Sequence, residues 1–117
     1  MQGHREAVIA LLVAKAAVNI ADINGYSPLY YAAMEGHVEI LKLLIKAKGD
    51  VNQCERRKGT SPLIVASGRG FVEAVELLLK NGADVHLKNN GGFTALDHAI
   101  DSKHPSVEAV LRAHLEK

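Results

Sequence analysis

The chain contains no tryptophan, three tyrosines, two phenylalanines and a single cysteine. A core with so few rings must be filled by smaller side chains, and Ala, Leu, Val and Ile supply most of the 48% apolar content. That mixture suits closely packed short helices, so an all-α fold is expected. Cys54 has no second cysteine to pair with, which excludes an internal disulfide framework and favours a reducing setting. No apolar stretch approaches the roughly 18 residues of a membrane span, and no secretory leader is recognised. An intracellular location, cytoplasmic or nuclear, is the default expectation. Neither sign of charge dominates: 14 Lys and Arg stand against 13 Asp and Glu, so no global field argues for nucleic acid or an anionic membrane. At 117 residues the chain is the size of one domain, and less than a quarter of it is charged, which is globular rather than disordered composition.

What the sequence does have is an internal period. Gly3-His4, Gly36-His37 and Gly70-Phe71 recur at spacings of 33 and 34 residues. Ser27-Pro28-Leu29, Ser61-Pro62-Leu63 and Thr94-Ala95-Leu96 recur at 34 and 33, and Val18-Asn19, Val51-Asn52 and Val85-His86 at 33 and 34. The one extra residue therefore falls between Val51 and Ser61, in the polar stretch from Gln53 to Thr60, where a loop tip tolerates insertion.

Each unit has a physical reading. The hydroxyls of Ser27, Ser61 and Thr94 are placed to cap free backbone N–H groups, and Pro28 and Pro62 suit the first helical position, so these are helix starts. About eight residues later Gly36 or Gly70 offers the left-handed backbone that ends the first helix. The second helices run from Val38 to Lys46 and from Val72 to Lys80, with charges confined to one narrow edge. Helices that are apolar over so much of their circumference must be buried on several sides, as happens when antiparallel pairs stack in a line. The remaining segments, such as Gly82 to Gly92, are rich in turn formers and too short for another helix pair.

On these residues the chain resembles the ankyrin-repeat family, whose unit runs Gly-x-Thr-Pro-Leu-His-x-Ala-Ala-x-x-Gly-His, then a Leu-rich helix, then Gly-Ala-Asp-Val-Asn. Gly25-Tyr26-Ser27-Pro28-Leu29-Tyr30-Tyr31-Ala32-Ala33-Met34-Glu35-Gly36-His37 follows that pattern, as do Gly59-Thr60-Ser61-Pro62-Leu63 and Asn81-Gly82-Ala83-Asp84-Val85. The tetratricopeptide repeat, a competitor at similar period, has neither the Pro-Leu start nor the Gly-Ala-Asp-Val hairpin. The resemblance implies a solenoid of stacked antiparallel helix pairs joined by β-hairpin-like loops, with about three and a half repeats in one domain. The expected boundaries are a partial N-terminal repeat over 1–22, repeats over 23–55 and 56–88, and a C-terminal capping repeat over 89–117.

Departures from the family pattern carry expectations of their own. The histidine after Pro-Leu, which ties neighbouring loops together in the family, is replaced by Tyr30, Ile64 and Asp97, so the stitching between repeats should be weaker or different. Asp97 is placed to form a capping box with Thr94. Lys48-Gly49-Asp50-Val51 carries its glycine one residue late, so distortion of that turn is expected. Lys103-His104-Pro105 replaces the helix-ending glycine in the last unit. At the other end, Ile9 and Val13 stand where later repeats have Glu or Lys, leaving an apolar strip suited to self-association into a homo-oligomer.

Catalytic and metal chemistry find little support. His4, His37, His86, His98, His104 and His114 show neither i, i+4 pairing nor a Cys-x-x-Cys companion, so no metal site is expected. Asp97-His98 lacks a nucleophile in a fitting context, and neither Gly91-Gly92 nor Gly68-Arg69-Gly70 opens a helix after a strand as a phosphate loop does. No enzyme activity and no cofactor are implied.

Arg56-Arg57-Lys58 is the strongest local charge feature, and Arg69 lies where it can join it. A solvated loop tip and a docking point for an acidic partner segment are both compatible with it. Nucleic acid is not expected, because no aromatic platform accompanies the charge. The family's recognition surface is made of hairpin tips and the exposed side of the first helices. Carried over by position, it comprises Ile23, Asn24, Tyr26, Met34 and Glu35, then Arg57, Lys58, Thr60, Gly68 and Arg69, then Asn90, Gly91, Phe93, Asp101 and Ser102. Tyr26, Met34 and Phe93 are candidate anchors for an interface, with packing between repeats as the alternative for Phe93. Asn19 and Asn52 are read as structural hydrogen-bonding residues. The expected function is that of a non-catalytic module binding another protein or peptide on a concave face, with no membrane partner. The alternative is a regulatory or targeting part of a larger enzyme or channel.

Overall fold

A computed structural model describes residues 19–116. Among the described residues six helices follow in chain order: α1 Pro28–Glu35, α2 Val38–Lys46, α3 Pro62–Arg69, α4 Val72–Lys80, α5 Ala95–Asp101 and α6 Pro105–Leu115. They form three antiparallel pairs, first helix then second, and no strand occurs among the described residues. First helices stack in one row, α1 on α3 on α5, and second helices in another, α2 on α4 on α6. The self-association strip at Ile9 and Val13, like most of the partial N-terminal repeat, lies outside the described residues.

The first helices begin as their sequences dictate. Ser27 Oγ accepts the Tyr30 N–H at 3.1 Å, and Ser61 Oγ accepts that of Ile64 at 3.1 Å. Thr94 and Asp97 close a capping box, Oγ1 accepting the Asp97 N–H at 3.2 Å and Oδ2 accepting the Thr94 N–H at 2.9 Å. Small residues then let the row close up. Ala32, Ala33, Ala66, Ala95 and Ala99 are buried between the rows beside Leu29, Leu63 and Ile64, while Leu41, Leu44, Val75, Leu78, Val107 and Leu111 fill the second-helix side. At about 25 cal/mol per Å² of apolar surface removed from water, burial of this continuous core is the main stabilising term.

Each first helix ends in a left-handed residue: Gly36 at φ 71°, Gly70 at φ 80° and, in the last pair, Lys103 at φ 60°. Glycine is needed at the first two for space as well as for backbone freedom. A Cβ on Gly36 would meet the Phe71 ring at 3.0 Å, and one on Gly70 would meet His104 Nδ1 at 2.6 Å, because the residue that starts each second helix packs over the glycine of the preceding pair. Lys103 is exposed, so its side chain has room, and only the conformational cost remains.

The turn expected to be distorted at Lys48-Gly49 keeps the regular path instead. Lys48 itself takes the left-handed conformation at φ 73°, in the place Gly82 holds at φ 92° one repeat later. Gly49 is confined for a different reason: a Cβ there would lie 2.8 Å from the Leu44 carbonyl and 3.0 Å from Leu29.

Stitching between repeats is present but carried by other groups than the absent histidines. Arg56 N–H donates to the Asn24 carbonyl at 3.0 Å, and Asn90 N–H to that of Lys58 at 2.7 Å, so successive loops are joined through their backbones. Asn19 Oδ1 accepts the Asp50 N–H at 2.7 Å and Asn52 Oδ1 that of Asp84 at 2.8 Å, which makes both asparagines structural links. His104 Nε2 lies 3.1 Å from the Gly68 carbonyl and ties the last pair to the one before it.

Candidate functional site

The loops preceding the first helices are each organised by one acidic or amide side chain, and these three residues share the 33- and 34-residue period. Asp22 Oδ1 accepts the N–H groups of Asn24 and Tyr26, both at 2.9 Å. Asn89 Oδ1 accepts those of Gly91 at 2.9 Å and Phe93 at 3.1 Å. The middle loop is one residue longer, and a longer side chain serves it. Glu55 Oε2 accepts the Arg57 N–H at 2.7 Å, and Oε1 accepts those of Lys58 at 2.8 Å and Thr60 at 3.2 Å. Each loop also carries one bond between its ends, from Asp22, Glu55 or Asn89 N–H to the carbonyl of Tyr26, Thr60 or Phe93. The loops are hairpin-like in path, without a strand ladder.

Electrostatics follow from this arrangement. Burial alone would push the Glu55 carboxyl up, but the N–H groups of Thr60, Lys58 and Arg57 outweigh it and hold the group below its ordinary value. Glu55 is 4% exposed and therefore a buried charge satisfied by backbone. At Asp22 the main lowering influence is the Tyr31 hydroxyl, 2.5 Å from Oδ2, and Tyr31 is in turn pushed up to about 12. Burial, and then the Glu55 charge, pushes the Tyr30 hydroxyl far up, so that ring stays neutral. Burial followed by Asp50 and Glu55 also pushes the Cys54 thiol up, the reverse of what a nucleophilic cysteine needs.

A groove of about 430 Å³ opens between the loop row and the first helices. Of the residues expected at a recognition surface, Tyr26, Met34, Arg57, Lys58, Thr60, Gly68, Arg69 and Ser102 line it. Tyr30, Glu55, Ile64, Val65, Asn89 and His98 line it too and were not anticipated. Tyr30 and Ile64 stand where the family has its loop histidine, and that register was the available signal for them. The Tyr26 and Tyr30 rings stack with centroids 5.1 Å apart and planes 1° from parallel, and because Tyr30 is buried it is chiefly Tyr26 that the pair presents to the groove.

Other expected residues lie elsewhere. Ile23, Asn24, Glu35, Asn90, Gly91, Phe93 and Asp101 do not line the groove. Ile23 projects from the first loop at 89% exposure. Phe93 is 53% exposed and packs edge-on against His98 of its own repeat, with ring centroids 5.8 Å apart, so it does not continue a strip from Tyr26 and Met34. Thr60 is buried, and its N–H is committed to Glu55, so it shapes the groove floor more than it offers a contact.

Among the described residues no group of three or more His, Cys, Asp or Glu side chains could hold a metal ion. No described helix is long and apolar enough to cross a membrane.

Comparison with known proteins agrees with this geometry. The family described as Ankyrin repeats (3 copies) matches residues 1–55 and 48–117. Ankyrin repeat-containing protein P1E11.10 of Schizosaccharomyces pombe is 38% identical over 50 residues, 43% of this chain and 24% of that protein. The matched region thus spans about a quarter of the relative's length. Proteins of this kind generally act as non-enzymatic protein–protein interaction modules. Repeat period, capped helix pairs and family match agree: the chain belongs to the ankyrin-repeat family.

Proposed function

We infer that this protein is a non-catalytic module that holds a partner protein or peptide in the concave groove between its loops and first helices, and that the partner presents an acidic segment. The observation that carries this reading is the set of cations in the groove. Arg57, Lys58 and Arg69 line it, and none of them forms an ion pair among the described residues. A docking partner therefore meets cations that no ion pair engages, the one carboxylate beside them, Glu55, being turned to backbone N–H groups. Loops tied to one another and helices packed on a continuous core present the surface preorganised, so little ordering entropy is lost on binding.

A second reading treats the repeats as the regulatory or targeting part of a larger enzyme or channel. The groove serves the same purpose in both.

The test is affinity capture with tagged protein. Tyr26→Ala/Arg69→Glu is expected to lose partners that the wild type and a second-helix control, Lys42→Glu/Lys46→Glu, both retain. Recovery of the same partners at the same strength by the folded groove variant overturns the reading.

A further inference from the structure

The groove joins two chemistries. One repeat contributes the stacked pair Tyr26 and Tyr30 with Met34, and the next contributes the cations Arg57, Lys58 and Arg69 beside Ile64 and Val65. Glu55 is the one carboxylate among the described residues that line it, and both of its oxygens are occupied by backbone N–H groups. Glu55 therefore fixes the Arg57-Lys58 backbone without offering an open acceptor to a ligand.

A hydrogen-bond chain adds one more donor. Asn89 Oδ1 accepts two backbone N–H groups, which fixes the amide orientation and leaves Nδ2 to donate to His98 Nε2 at 3.0 Å. The His98 ring proton is then on Nδ1, on the side of Gly68, which also lines the groove. The groove consequently combines donors and positive charge with apolar surface.

A helical occupant would present to the groove side chains three or four residues apart. An extended segment instead sends alternate side chains to the same face, placing residues i and i+2 side by side.

We propose that the groove takes an extended partner segment in which an acidic side chain and an apolar or aromatic side chain stand two residues apart, the carboxylate on Arg57, Lys58 and Arg69 and the apolar group on Tyr26, Tyr30 and Met34. This rests on the docking reading above and specifies the chemistry of what docks. Bidentate pairing of a carboxylate with arginine supplies orientation, and the stacked rings supply desolvated apolar area.

The probe is a phage-displayed library of random heptapeptides selected on the full chain, with circular dichroism confirming that every variant is folded. Selected peptides are expected to carry Asp or Glu two positions from Leu, Met, Phe, Tyr or Trp. Arg69→Glu is expected to weaken a selected peptide about tenfold, and replacing the peptide's carboxylate by its amide should weaken wild-type binding to a similar extent. Peptides that need Tyr26 and Arg69 but lack the acidic and apolar pair overturn this proposal and leave the docking site standing. Peptides that bind wild type, Tyr26→Ala and Arg69→Glu alike overturn the docking site itself, and this proposal with it.

Discussion

The imidazole of His104 sits directly over Gly70, close enough that a Cβ on the glycine would lie 2.6 Å from Nδ1, while Nε2 reaches the Gly68 carbonyl at 3.1 Å. One ring thus occupies the space a side chain would need and ties two repeats together. Gly70→Ala combines a left-handed backbone penalty of about 1–2 kcal/mol with overpacking of about 1–3 kcal/mol, so a loss of about 3 kcal/mol is expected in urea denaturation. Gly82→Ala is the control. Its φ is 92° but nothing lies within 4 Å of the added carbon, and about 1 kcal/mol is expected.

Lys48 and Lys103 stand at φ 73° and 60°, where glycine pays no steric penalty. Each single substitution, Lys48→Gly or Lys103→Gly, is expected to stabilise the chain by about 1 kcal/mol. The urea midpoint should rise with the slope unchanged. A fall at either position contradicts the backbone account of that turn.

How much of this was legible in the sequence depended on whether a residue type carried its own marker. Ser27-Pro28, Ser61-Pro62 and the Thr94-Asp97 box announced three helix starts, because hydroxyl caps and first-turn prolines have few other uses at such spacing. Lysines at 48 and 103 announced nothing, since left-handed backbone is read from glycine and tertiary packing imposed it here. Register alone brings Arg57, Lys58 and Arg69 to the groove lining. It gives a position on a loop but not the direction of a side chain, so the packing of the Phe93 ring on His98 was not legible. Glu55 was passed over because a carboxylate among basic loop residues reads as solvated, and only the fold shows its oxygens turned inward to the extra-long loop.

The long middle loop makes Glu55 sensitive to small changes. Glu55→Gln places an amide N–H against a backbone N–H and gives up bonds to a charged acceptor, each worth about 1.5–3 kcal/mol, so a loss of about 2–3 kcal/mol is expected. Because the folded-state carboxyl is held below its ordinary value, its contribution is present above the unfolded value, 4.5, and is lost as pH falls through the folded one. Stability of the wild type should therefore drop on acidification more steeply than that of Glu55→Gln. Parallel pH profiles for the two contradict this assignment.

The pair formed by Tyr31 and Asp22 is testable by titration. The Tyr31 hydroxyl is the leading influence that keeps the Asp22 carboxyl low, so Tyr31→Phe is expected to move Asp22 back up toward 3.8. Carboxyl chemical shifts of Asp22 followed by NMR across acidic pH read this directly. An unchanged midpoint shows that the backbone N–H groups of Tyr26 and Asn24 suffice without the tyrosine.

Partner docking in the groove is most directly measured by site-specific photo-crosslinking. A photoreactive side chain is placed either at Met34, which lines the groove, or at Leu43 on α2, which does not. Illumination in cell extract is expected to attach a discrete partner at position 34 and not at position 43, with the adduct suppressed by Arg69→Glu. Equal adducts at both positions, or an adduct at 34 indifferent to Arg69→Glu, would contradict the account.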